Sequence, residues 1–242
     1  MQKTELIMGM PITITLVDGE GHDADLIFDY FRDVDARYST YKPTSEISRI
    51  NAGLPKSRWS GEMKRVLELC EQTKQATDGY FDIERNGQLD PSGLVKGWAI
   101  QNAAKKLLSQ GKDNFSIEAG GDIQAHGRSE SGGEWRIGIR NPFDRSQIVK
   151  IVGIRDQGIA TSGTYIRGQH VYNPKNNRDV ADIVSLTVVG PNIYEADRFA
   201  TAAFAMGRNG INFIETLKGF EGYMIDTEGI ATMTSGFEEY AR

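Results

Sequence analysis

Asp197 and Thr201 stand four residues apart in Tyr194-Glu195-Ala196-Asp197-Arg198-Phe199-Ala200-Thr201-Ala202-Ala203-Phe204-Ala205-Met206-Gly207, a stretch that otherwise reads as an apolar helix. Residues at i and i+4 share one helix face, so this carboxylate and hydroxyl present two hard oxygen donors to one divalent cation. A buried aspartate without a partner is protonated or destabilising, which favours such a cation. The pair alone leaves a second reading open. An Asp near a helix N-terminus is favoured by the macrodipole, and a Thr can simply fill a core position.

A second constellation is Asp90-Pro91-Ser92-Gly93-Leu94-Val95-Lys96-Gly97-Trp98-Ala99-Ile100, a tight turn feeding a helix. Glycines at such a junction let backbone amides approach a phosphate, the helix N-terminus adds positive potential, and Lys96 adds a point charge. The spacing matches neither the GxxxxGK[ST] P-loop nor the GxGxxG dinucleotide fingerprint. Asp90 either binds a ribose or base edge or holds the turn. The third constellation joins Thr161-Ser162-Gly163-Thr164-Tyr165 to Gln169-His170-Val171-Tyr172-Asn173-Pro174. His170, with a near-neutral reference pKa, is a candidate general base if it faces the cation, and otherwise an ordinary hydrogen-bonded loop residue. His22 falls in a charged loop and His126 closes a strand beside Gly127, both surface placements. Cys70, the single cysteine, has no intramolecular disulfide partner and reads as a small buried apolar residue.

The elements around these residues follow from periodicity. Met10–Val17 alternates as a strand, and Ala24–Tyr38 carries Ile27, Phe28, Phe31, Val34 and Tyr38 as the stripe of a helix packed on a sheet. A polar loop from Ser39 enters a short helical turn ending at Asn51, and Met63–Thr77 is a second helix with Gly79 as its cap. Phe115–Ile123 reads as one strand broken by Gly120-Gly121. Trp135–Arg140 and Ile148–Ile154 alternate as neighbouring strands, Ile183–Val189 is a strand directly before the Asp197 helix, and Gly222–Ile225 with Ala231–Thr234 forms a closing hairpin. Strands and helices mix without strict alternation, which predicts an α+β fold of mixed or antiparallel sheets with packed helices. The 242 residues, 39% hydrophobic and 25% charged, suffice for one large domain or two intimately joined lobes. A net charge of -5 gives no cationic field for nucleic acid. No window approaches the roughly 18 apolar residues of a membrane span. The N-terminus lacks a charged region followed by an apolar run and cleavage site, so the chain as given is expected in the cytoplasm. Removal of an export leader would leave the same sequence, with the protein then exported and membrane-attached.

Taken in order, seven segments resemble the bacterial FAD:protein FMN transferases, and the match runs nearly the whole chain. They are Met8-Gly9-Met10; Ser39-Thr40-Tyr41-Lys42 through Ser48-Arg49-Ile50-Asn51; Thr77-Asp78-Gly79-Tyr80-Phe81-Asp82-Ile83; Asp90 to Ala99; Thr161 to Tyr165; His170 to Pro174; and Glu195-Ala196-Asp197 to Thr201. Local departures are Pro91 and Ser92, Trp98 where Tyr is usual, Asn173 for Asp, Tyr172 for an aliphatic residue, and Ala200 where some members carry an extra carboxylate.

The resemblance implies a T-fold-like flavin-transferase architecture and a reaction that attaches FMN to a threonine or serine of an acceptor protein, with AMP released from FAD. It places Met8, Tyr41, Tyr80, Phe81, Asp82, Asp90, Lys96 and Tyr172 at FAD, and the Gly93 carbonyl, Asp197 and Thr201 at magnesium, with manganese as an alternative. His170 and Asp197 are then the expected catalytic residues, His170 deprotonating the attacking hydroxyl. FAD hydrolysis to FMN and AMP, or flavin binding without chemistry, are the rival outcomes.

Overall fold

A computed structural model describes residues 1–163 and 172–242. Its strands are β1 (Gln2–Ile7), β2 (Met10–Leu16), β3 (Glu84–Arg85), β4 (Gln88–Leu89), β5 (Phe115–Ala119), β6 (Asp122–His126) and β7 (Trp135–Arg140). There follow β8 (Ile148–Ile154), β9 (Gly158–Gly163), β10 (Tyr172–Asn173), β11 (Arg178–Asp179), β12 (Ile183–Gly190), β13 (Glu221–Asp226) and β14 (Ala231–Met233). The helices are α1 (Gly21–Tyr38), α2 (Glu46–Asn51), α3 (Gly61–Ala76), α4 (Ser92–Ser109), α5 (Ile193–Ala205) and α6 (Gly210–Glu215).

Eight strands form one sheet in the order β1-β2-β5-β6-β9-β12-β13-β14. Every neighbouring pair is antiparallel, which resolves the α+β expectation in favour of an antiparallel sheet. Side chains alternate between faces, so adjacent residues of one strand enter different cores. Ala160, Val188 and Met224 join the core built with α1, α4 and α5, whereas their neighbours Ile159, Val189 and Tyr223 join a second core with Trp135 and Ile139 of β7 and Val152 and Ile154 of β8. On β6 the same parity commits Ile123 and Ala125 to the second core. Asp122 and Gln124 therefore project towards α4 and α5.

Several boundaries differ from the sequence expectation; α1, for one, begins at Gly21, which puts His22 in its first turn and not in a loop. Residues 2–7 form the edge strand β1, whose mostly polar, half-exposed residues lack the apolar alternation of a covered strand. The break at Gly120-Gly121 is a hairpin turn between two strands, with φ of +60° and +97° at the pair. Helix α3 ends with Asp78 in the left-handed cap position at φ +50°, its N–H on the Gln75 carbonyl, and Gly79 follows with its N–H on Lys74. The cap expected of Gly79 is thus shared with Asp78. Cys70 is buried as expected, and burial pushes its thiol up to about 12. His126 stacks on Phe115 at 5.5 Å and sets Nδ1 2.8 Å from the Asp113 carbonyl oxygen, so this partly exposed residue at the end of β6 is held by its neighbours.

Candidate functional site

Helix α5 is positioned from both ends of its first turn. The Asn192 side chain caps it by accepting the Glu195 N–H at 3.0 Å, and the buried Gln124 of β6 accepts the Ile193 N–H at 2.8 Å. These bonds fix which way Asp197 faces. Helix α4 crosses against it at Gly97, where an added Cβ would lie 2.7 Å from Asp197 Cβ and 2.8 Å from the Ile193 carbonyl oxygen. The glycine expected to let a phosphate approach therefore serves helix packing instead. Its N–H donates to Asp197 Oδ2 at 2.8 Å.

That bond occupies one oxygen of a carboxylate that is only 3% exposed. The other, Oδ1, lies 3.7 Å from Lys96 Nζ, while Lys96 makes a closer ion pair of 2.6 Å with Asp122 Oδ2. Asp122, 1% exposed, is held in turn by the Thr161 N–H, which donates to Oδ1 at 3.0 Å. Burial raises the Asp197 carboxyl to about 7; Lys96 and the Gly97 N–H pull it down, and the neighbouring Asp122 carboxylate pushes it up. Two carboxylates and one ammonium leave this buried group one positive charge short.

Asp197, Lys96, Thr201 and Gly93 all line a cavity of about 380 Å³, a size that suits a small-molecule ligand. Tyr80, Phe81, Asp82, Asp90 and Tyr172 line it too. Nine of the residues singled out in the sequence thus share one cavity. Met8 and Tyr41 do not reach its walls: Met8 sits in the β1–β2 turn at φ +56°, and Tyr41 is 96% exposed on its loop. His170 lies outside the described residues.

Local bonds explain how the turn residues hold their places. Asp90 Oδ1 accepts the Ser92 N–H at 3.0 Å, so it holds the turn into α4 while facing the cavity. Phe81 is set by the Thr77 hydroxyl, which accepts its N–H at 3.1 Å, and Asp82 pairs with Lys74 at 2.7 Å. Asn51 donates to the Leu89 carbonyl and accepts the Leu89 N–H, both at 2.9 Å, and so clamps β4 at the rim.

Sequence reasoning passed over Asp122, whose only local signal is its place after the Gly120-Gly121 turn. It also passed over the cations at the cavity mouth. Arg85 lies over the Tyr172 ring at 4.1 Å, and Lys175 lies over the Tyr80 ring at 4.3 Å. These contacts pair residues remote in sequence, which no local pattern records.

The donor set fits magnesium. Asp197 Oδ1, the Thr201 hydroxyl and the Gly93 carbonyl are all hard oxygens, and an added Cβ at Gly93 would touch Thr201 Cγ2 at 3.4 Å, so the two elements meet there. Magnesium takes few protein ligands and completes its shell with water and substrate phosphate. Among the described residues no group of three or more His, Cys, Asp or Glu side chains is placed to hold a metal ion. No helix of the described residues is long and apolar enough to cross a membrane.

An FAD:protein FMN transferase of Vibrio cholerae is 32% identical to this chain over 163 residues, 63% of the chain and 47% of that protein. The Escherichia coli protein of the same name is 30% identical over 166 residues, 64% and 45% of the two lengths. The chain thus matches about half the length of these curated relatives. Among solved structures, the flavin transferase ApbE of Vibrio cholerae aligns with a TM-score of 0.86 at 24% identity, over 99% of this chain and 98% of that one. The ApbE protein of Thermotoga maritima aligns with a TM-score of 0.89 at 18% identity, over 100% and 99%. At such identities the likeness establishes the fold. The sequence model of the ApbE family matches residues 8–87 and 83–224, nearly the whole of the polypeptide, and the chain belongs to the ApbE family.

Proposed function

We propose that this protein transfers FMN from FAD to a threonine or serine hydroxyl of an acceptor protein and releases AMP, with magnesium or manganese as its resident cation. The observation that carries this reading is that Asp197, Thr201 and Gly93 line one cavity together with Lys96 and the aromatic residues Tyr80, Phe81 and Tyr172. A bound magnesium ion would supply charge neutralisation for a diphosphate.

The chain's own groups do the rest. Tyr80, Phe81 and Tyr172 offer apolar and π surface to a flat ring system, and Lys96 brings a fixed positive charge to the phosphates. In the transfer, the acceptor hydroxyl oxygen bonds to the FMN-side phosphorus, the bond from that phosphorus to the bridging oxygen breaks, and AMP leaves with the bridging oxygen. His170 is assigned the hydroxyl proton from its sequence position. Positioning and charge neutralisation then account for most of the catalysis.

The test is to incubate the protein with FAD, magnesium and a flavin-acceptor domain and to weigh the acceptor. Gain of one FMN per AMP released supports the reading. Free FMN and AMP with an unmodified acceptor would make the protein a hydrolase, and intact FAD would make it a binder. Either result overturns the proposal.

A further inference from the structure

Lys96 is offered two carboxylates of different kind. Asp197 stands in the cavity wall, whereas Asp122 is buried and is not among the residues that line the cavity. The ammonium sits 2.6 Å from Asp122 and 3.7 Å from Asp197 Oδ1, so its shorter contact is with the residue that faces no ligand. Asp122 is itself immobilised. The β6–β9 ladder contains only the pairs Ile123↔Ile159 and Gln124↔Gly158, and beyond it the Thr161 N–H turns to Asp122 Oδ1. A buried carboxylate anchored to backbone at the point where two strands part is a rigid counter-charge, set at the first position after the Gly120-Gly121 hairpin.

We infer that Asp122 is a positioning residue that draws Lys96 back from Asp197 and so keeps Asp197 Oδ1 open to a divalent cation. This inference rests on the magnesium reading above. The charge arithmetic is simple. With both carboxyls ionised and Lys96 protonated, the cluster carries one net negative charge. Without the Asp122 charge, Lys96 and Asp197 would neutralise each other, and the ammonium would compete for the oxygen the metal needs. Without Lys96 as well, the single negative charge of Asp197 returns.

The experiment is titration with Mn²⁺ alone, read by electron paramagnetic resonance of the free ion, on the full chain and three variants. Asp122→Asn keeps an acceptor for the Thr161 N–H and is expected to weaken Mn²⁺ binding by about tenfold or more, given the strength of charge interactions in a partly dry site. Adding Lys96→Met to Asp122→Asn is expected to restore binding to within about threefold of the parent, by the same charge balance. Lys96→Met alone is expected to bind Mn²⁺ at least as tightly as the parent, and it keeps the idea testable if Asp122→Asn fails to fold. Rescue by loss of a second residue is a result that a merely structural Asp122 would not produce. Unchanged Mn²⁺ affinity in Asp122→Asn, or weakened affinity in Lys96→Met, overturns this inference alone. A parent protein that binds no Mn²⁺ overturns both the inference and the metal reading.

Discussion

Asp197 and Asp226 are both 3% exposed, yet the structure treats them in opposite ways. Asp226 closes β13 and is saturated with donors. Its Oδ1 accepts the Glu228 and Ile230 N–H groups at 2.9 Å each, and its Oδ2 lies 3.0 Å from the Arg208 guanidinium. The Ile230 N–H bond above all, with those of Glu228 and Gly229 and the Arg208 charge, holds its carboxyl below the ordinary value against the cost of burial. Asp197 receives one N–H, from Gly97, and a shared ammonium, while burial and Asp122 raise its carboxyl. Both are shielded from solvent, but Asp197 lies deep in the packed interior and Asp226 in a turn near the surface, so depth of burial and supply of donors together separate them. A carboxylate that folding leaves short of donors beside a cavity is poised to take its missing partner from solution, whereas a saturated one is finished when the turn closes.

Exchanging each charge for an amide is the sharpest way to break this comparison. Asp197→Asn keeps an acceptor for the Gly97 N–H and leaves Lys96 paired with Asp122. Under the proposed function, FMN transfer is expected to fall on the order of 10³-fold, because Asp197 is the proposed anionic ligand of the cation. The melting temperature at pH 8 is expected to hold or rise. The sign follows from the raised carboxyl: its ionised form is penalised in the folded state, so removing the charge relieves a cost that is present above the folded value. A large loss of melting temperature with activity retained would reverse the assignment.

Gly97→Ala probes the junction between the two helices. The new Cβ would meet Asp197 and the Ile193 carbonyl well inside contact distance, so α4 must shift from α5. A loss of about 1–3 kcal/mol in denaturant unfolding is expected from overpacking, together with a fall in transfer rate of about tenfold as Asp197 is displaced. Unchanged stability would show that the helices have slack the packing does not reveal.

The smallest effect on activity is expected at the other aspartate. Asp226→Asn should leave FMN transfer unchanged and lower the melting temperature at pH 7. Because the folded carboxyl lies below its ordinary value, its stabilisation is present above about pH 4 and is lost as pH falls through the folded value. The gap in melting temperature between parent and variant should therefore close on acidification below that point. Thermal unfolding across pH 2 to 7, about the range that spans the carboxyl transition, measures it. A gap that persists at the acid end would deny the carboxylate this role.

Much of this was legible in the chain. The α1 stripe of Ile27, Phe28, Phe31, Val34 and Tyr38 is buried as its period predicts, because an amphipathic helix reports its own contact face. The Asp197–Thr201 spacing brings both residues to one cavity for the same local reason. Edge strand β1 was not legible, since an uncovered strand needs no apolar alternation. Nor was the purpose of Gly97: a glycine beside a lysine at a helix start looks like room for phosphate, and only the crossing of α5 makes it room for a helix.

The sequence by itself determined the main amphipathic helices and covered strands, their apolar faces and the oxygen and amine groups available for chemistry, because these depend on neighbours within a turn or two of chain. Tertiary structure decided how those groups are shared. Asp122, Lys96 and Asp197 come from a strand and two helices, and their partnership depends on which face of β6 meets α4 and α5. Electrostatic balance among buried charges acts through space over a few ångströms, and distance in space is the quantity that a linear sequence does not carry.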